Sequence, residues 1–295
     1  MKQQLLAFLN LLQTEFNYSA NTTAAYRNDL NQFLVFLTDG RHPDVSRWPD
    51  VSAEVVRSYV DYMKEKSYAS SSVARKVAAV KSFFNYLYGQ QIISENPTIG
   101  IDSPKVKKRL PKTLASEDVE RLLKAPADTD KKTPKTPKHL RDTALLTVLY
   151  ATGMRVTEVV SLREEDVDLK NNLLLCPGKD NIQRRLPVDE MTKAALAEYL
   201  EMGRPYLLKD KKVDAIFLNH RGQQLTRQGL WLIIKAYAKE AELSAEVTPH
   251  TLRHSFAAHK LNSGTELQEV QKLLGHANIS TTQIYTQLSN EDKEG

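Results

Sequence analysis

Residues 103–112 read S-P-K-V-K-K-R-L-P-K. Two prolines bracket a basic run, and each pushes the residue before it towards extended backbone. The segment therefore reads as an extended linker with a domain on either side. The chain is 295 residues long, enough for two domains that each bury a core. The expected division is 1–102 for the first domain, 103–112 for the linker and 113–295 for the second domain.

The first part carries four apolar runs at helical spacing. Leu5, Leu6, Phe8, Leu9, Leu12 and Phe16 form the first. Asn21 is placed to cap a second helix through Ala24, Tyr26, Leu30, Phe33, Leu34 and Leu37. Ser52 opens a third, with Val55, Val56, Tyr59, Val60 and Met63. Ser70 to Ser72 open a fourth through Val73, Val77, Val80, Phe83, Phe84 and Leu87, bracketed by Gly89 and Pro97. The reading is a four-helix domain. Arg75, Lys76 and Lys81 are expected on its exposed face, as phosphate contacts or as a solvated surface. Lys107, Lys108 and Arg109 in the linker suit a segment crossing a DNA backbone, and equally any solvated connection.

The second part is mainly helical with a small β element. A helix begins at Ser116 and Glu117. Residues 126–138, rich in proline and lysine without apolar spacing, read as a surface loop. The run L-R-D-T-A-L-L-T-V-L-Y at 140–150 is an apolar helix. Thr152 and Gly153 break it and are placed to cap the next, which puts Arg155 near a helix start with Glu158 three residues on. Residues 173–188 alternate as strands around G-K-D-N, a hairpin with Lys179 at its tip and Arg184 on its return strand. Helices are expected near 190–201 and 226–242, the latter opened by Thr226 and Arg227. The fold class is mainly α with a small β-sheet.

The stretch V-T-P-H-T-L-R-H-S-F-A-A-H at 247–259 carries chemistry. Thr248 and Pro249 are a cap followed by a proline where no N–H is needed. His250 then falls in the first turn and Arg253 shares its face. Free N–H groups and the helix dipole make that turn an anion site, and the same positive end disfavours an imidazolium. L-L-G-H follows at 273–276 and S-T-T-Q-I-Y at 280–285; Ser280 and Gln283 have capping-box spacing, which places Tyr285 early on a short helix. A neutral histidine, an arginine on an anion-binding turn and a nearby tyrosine suit attack on a phosphodiester. Packing for the tyrosine and a plain cap for the histidine–arginine pair are the simpler alternatives. His250 and His254 are also four apart, a zinc spacing, but no carboxylate or cysteine sits at ligand spacing beside them and H-E-x-x-H is absent.

Composition narrows the classes. Lys plus Arg is 41 against Asp plus Glu 36, net +5, which is compatible with nucleic acid without establishing it. The single Cys176 excludes an intrachain disulfide and fits a reducing cytoplasm. The N-terminus lacks a signal-peptide core, and no run approaches the ~18 apolar residues of a membrane span.

H-T-L-R-H, then L-L-G-H, then T-T-Q-I-Y closely resembles the signature of the tyrosine recombinases, most like the Xer type. The match places His250, Arg253, His276 and Tyr285 on four catalytic positions. T-G-M-R-V-T-E resembles the family's first catalytic-arginine box, so the resemblance makes Arg155 the second phosphate arginine and Glu158 its supporting acid. It makes Lys179 the leaving-group acid, although Asp180 stands where the family usually has glycine. N-T-T-A-A-Y-R-N-D-L at 21–30 resembles the helical core-binding domain that clamps DNA opposite an α+β catalytic domain. Thr226 and Arg227 lie in text resembling a segment that contacts the DNA backbone, and Arg184 is the reserve acid.

The resemblance implies a site-specific recombinase that cuts and rejoins double-stranded DNA at a specific site. It implies a 3′-phosphotyrosyl intermediate and a Holliday junction, in Xer-like chromosome dimer resolution or mobile-element integration. No cofactor or metal is implied, since two guanidiniums supply the charge. A type IB topoisomerase and a non-catalytic DNA-binding regulator are the competing readings. The expected assembly is a homo- or hetero-tetramer on DNA, with or without a second recombinase, in the cytoplasm and away from membranes. The ten residues after Tyr285 hold one apolar residue, Leu288, which predicts a monomer in the absence of DNA.

Overall fold

The computed structural model describes residues 1–104, 111–127, 135–177, 183–243, 246–276 and 278–291. Contacts divide the chain into two compact units, Met1–Lys108 and Arg109–Gly295. Among the described residues no helix is long and apolar enough to cross a membrane.

The first unit is built from α1 (Lys2–Thr14), α2 (Ala20–Thr38), α3 (Ala53–Glu65) and α4 (Ser70–Gly89). Their apolar stripes close on one core that includes Phe8, Phe33, Tyr59, Trp48, Phe83 and Phe84. Trp48 and Phe83 meet edge to face at 4.8 Å, and Phe33 meets Tyr59 at 4.9 Å. Ser52 caps α3 as its sequence position suggests. The cap of α2 differs from expectation: Ser19, not Asn21, accepts the N–H of Thr22, so the helix starts earlier. Lys76 also differs. It is buried and donates to Asp29 at 2.9 Å, while Arg75 pairs with the other oxygen of the same carboxylate. A buried carboxylate needs such partners, and this one takes two cations from the face expected to be free. Lys81 is half-buried.

The second unit is organised around α6 (Pro137–Thr152), which buries Leu140, Ala144, Leu145, Leu146, Val148 and Leu149. Thr136 caps it with proline at its first position, so the expected loop ends two residues earlier than residue 138. Before it lies α5 (Ser116–Lys124), and after it α7 (Val156–Val160). Strands β1 (Val167–Asp168), β2 (Leu173–Pro177) and β3 (Gln183–Pro187) form an antiparallel sheet in the order β1-β2-β3. Leu174 pairs with Leu186, both buried, and Cys176 with Arg184. The connection between β2 and β3, with Lys179, lies outside the described residues, as do Lys107, Lys108 and Arg109.

The expected helix near 190–201 is α8 (Glu190–Glu198), a π-helical turn at Tyr199–Gly203, then α9 (Arg204–Leu208). Thr226 caps α10 (Arg227–Glu240), and Arg227 is exposed. The chain closes with α11 (Pro249–Asn262), α12 (Leu267–Leu274) and α13 (Ser280–Glu291). Phe256, Ala257, Val270, Leu274 and Tyr285 pack these three together.

Candidate active site

Two turns of backbone, each made by a glycine, help to bring Arg155, Arg253, His276 and Tyr285 together. Gly153 ends α6 in the left-handed region at φ 59°. A Cβ there would sit 2.4 Å from the Phe256 ring. The sharp exit places Arg155, rather than Thr152 or Gly153, at the N-cap of α7. Its own backbone N–H donates to Glu158 Oε2 at 2.7 Å and its Nη1 to Oε1 at 2.9 Å. Thr152 instead accepts the N–H of Met154.

Gly275 ends α12 in the same region, at φ 63°. The last carbonyls of a helix lack intrahelical donors and carry its negative end. Three consecutive carbonyls here each take a different arginine. Leu273 O accepts from Arg184 Nη1 at 2.9 Å, Leu274 O from Arg253 Nη2 at 2.6 Å, and Gly275 O from Arg155 Nη2 at 3.0 Å. Arg253 also donates to Gly153 O. Glu158 joins the cluster from the side, with Oε2 2.8 Å from Arg184 Nη2. The expected pair of Arg155 and Glu158 is thus one edge of a three-arginine array.

The electrostatics follow from this crowding. Burial, then the charge of Arg155, lowers Arg253 to about 10, so it stays charged at neutral pH. Burial works against ionisation of Glu158, but the Arg155 N–H and the Arg184 charge outweigh it and hold the carboxyl below its usual range. Burial, then Arg253 and Arg155, lowers His276 to about 4. His276 is therefore neutral, with Nδ1 2.9 Å from Thr282 Oγ1. Burial raises the Tyr285 phenol, and Arg253 and Arg155 only partly offset this.

Tyr285 is 2% exposed and its ring lies parallel to that of His276, centroids 6.5 Å apart. Its phenol oxygen is 2.7 Å from Nδ1 of His254. In the sequence that histidine is only half of a zinc spacing, and its place one turn after His250 gives no sign that a distant helix brings Tyr285 against it. His250 is exposed on the first turn of α11, its ring 6.4 Å from that of His254. Among the described residues no three His, Cys, Asp or Glu side chains group as a metal site. The start of α13 also differs from expectation: Asn278 Oδ1 accepts the N–H of Ser280 at 3.1 Å, in place of a Ser280–Gln283 capping box.

The array suits an oxyanion with a phenol beside it: two cationic forks, a neutral histidine and a buried tyrosine. Comparison with known proteins points the same way. Residues 112–292 match the phage integrase family, and residues 5–91 match the phage integrase N-terminal SAM-like domain. A relative described as tyrosine recombinase XerC, from Herpetosiphon aurantiacus, is 50% identical over 291 residues, covering 99% of this chain and 92% of its own. Tyrosine recombinase XerD from Listeria innocua is 43% identical, covering 96% and 93%. The fold is similar to that of the XerH site-specific recombinase bound to a palindromic difH substrate in a post-cleavage complex, with TM-score 0.77 and 22% identity over 100% of this chain and 83% of that one. The chain belongs to the phage integrase family of tyrosine recombinases and is of the Xer type, enzymes that cleave and rejoin DNA.

Proposed function

We propose that Tyr285 is the nucleophile of this recombinase, attacking a scissile phosphate held by Arg155 and Arg253. The observation that carries this reading is the seating of both guanidiniums on adjacent carbonyls at the end of α12, beside the buried phenol. The carbonyls and Glu158 fix the forks in advance, so little reorganisation accompanies charge development on the non-bridging oxygens. Arginine suits the role because a planar fork can hold carbonyl and phosphate oxygens together. Neutral His276 accepts the Thr282 hydroxyl at Nδ1 and donates its single N–H, on Nε2, to the phosphate. Lys179, from its place in the sequence, protonates the 5′-oxygen. The product is a 3′-phosphotyrosyl bond and a free 5′-hydroxyl. Religation by another strand's hydroxyl then needs no ATP, and a Holliday junction forms between two duplexes.

The division into two compact units supports a DNA-clamping role for residues 1–102, with 103–112 as the linker and 113–295 as the catalytic part. The physiological complex would be a tetramer on a chromosomal recombination site in the cytoplasm, of one or two recombinase types; the likeness to XerC and XerD supports this. No cofactor enters the scheme.

The test uses a nicked duplex selected from a random pool by binding to the protein, in excess chelator. Wild type should form a covalent adduct resistant to denaturant. Tyr285→Phe should bind the duplex equally and form none. An adduct in the Phe variant would refute the assignment.

A further inference from the structure

We propose that His254 is the immediate proton acceptor of Tyr285 during strand cleavage; this rests on Tyr285 being the nucleophile. A general base must lie within hydrogen-bond reach of the proton that it takes. His254 Nδ1 is 2.7 Å from the phenol oxygen, with the rings 5.4 Å apart and inclined at 48°. With the hydrogen on Nε2, the bare Nδ1 accepts the phenol O–H. The position is fixed from both sides. His254 lies on α11 one residue after Arg253, which is tied to Gly153 and Leu274. Tyr285 is locked in the core of α11, α12 and α13. His250, on the exposed first turn, is one helical turn further out.

Burial, then the charges of His250 and Arg253, lowers His254 to about 4, and burial raises the phenol. The proton therefore rests on tyrosine, and no ionised phenolate waits in the free enzyme. Transfer is coupled to attack. As the phenol oxygen bonds to phosphorus, its O–H bond breaks and the proton moves to Nδ1. The P–O5′ bond breaks with its electron pair going to the 5′-oxygen, which takes a proton from the leaving-group acid. His254 is left as imidazolium and sheds its Nε2 proton to solvent. Bound phosphate assists, because its negative charge offsets the repulsion between Arg253 and an imidazolium.

The test measures the first-order rate of adduct formation on the selected nicked duplex. His254→Asn keeps an amide oxygen near the Nδ1 position and so keeps the hydrogen bond without basicity. It should bind DNA as wild type does and slow cleavage at least ~10²-fold, the lower range for a lost general base. Placing 3,5-difluorotyrosine at position 285, a phenol that ionises far more readily, should recover at least ~10-fold of that loss. A side chain acting only in packing predicts no such rescue. Near-normal cleavage by His254→Asn would overturn the proposal, and so would failure of the fluorinated nucleophile to recover rate. Adduct formation by Tyr285→Phe would instead overturn the nucleophile assignment, so the two failures are distinct.

Discussion

Gly275→Ala should be among the most damaging single-methyl changes in the second unit. The residue lies at φ 63°, where an L side chain costs about 1–2 kcal/mol. Its new Cβ would fall 2.4 Å from Arg184 Nη1, 2.8 Å from Cζ and 2.9 Å from Cδ. That guanidinium is 13% exposed and is held by Glu158, Leu273 O and Cys176, so it has no easy retreat. Losing one charge-assisted bond costs about 1.5–3 kcal/mol. The expected total is about 2.5–5 kcal/mol. A double-mutant cycle isolates the collision. With Arg184→Ala in place, the same Gly275→Ala step should cost only the backbone strain of about 1–2 kcal/mol. Denaturant unfolding of the four proteins gives the coupling directly. Additive costs would show that Arg184 and Gly275 do not compete for the same space and would refute the reasoning.

Arg253→Lys should slow cleavage at least ~10²-fold and also lower stability by about 1–3 kcal/mol, because lysine lacks the planar fork whose two nitrogens separately reach Gly153 O and Leu274 O. Arg155→Lys should match the kinetic loss with little change in stability, since its side chain is 43% exposed; equal melting losses in both would contradict this. His254 and His276 are both lowered from 6.5 to about 4. The unfolded chain binds these protons first, so stability is complete above pH 6.5 and falls between 6.5 and about 4. The ceiling is about 3 kcal/mol for each histidine, reduced by solvent screening. Unfolding at pH 7 and 4.5 should show a smaller acid loss in the His254→Asn, His276→Asn double variant, and an unchanged loss would exclude these two groups as its source. Lys76→Ala should destabilise the first unit by about 1.5–3 kcal/mol, the loss of one charge-assisted bond to Asp29 with Arg75 still in place, and leave the salt dependence of DNA binding unchanged; a shallower salt slope would return Lys76 to the phosphate contacts.

Helix periodicity, proline placement and capping residues are local, so the sequence by itself determined the four helices of the first unit, the β2–β3 pairing and the Thr248–Pro249 start of α11. The resemblance in H-T-L-R-H, L-L-G-H and T-T-Q-I-Y also singled out Arg253, His276 and Tyr285, which the structure gathers with Arg155 and Glu158. What only the tertiary structure decided is the set of partners. Lys76 looked exposed on its own helix because the helical repeat says nothing about Asp29, 47 positions away. Arg184 and His254 looked peripheral for the same reason. The first reaches Leu273 O across 89 positions and the second reaches Tyr285 across 31. Gly275 was visible as a helix stop, but its lack of a side chain acquires its second purpose only when Arg184 packs over it. Burial then sets the chemistry. Desolvation depends on everything that packs around a group, so the neutrality of His254 and His276 and the raised phenol of Tyr285 belong to the folded chain.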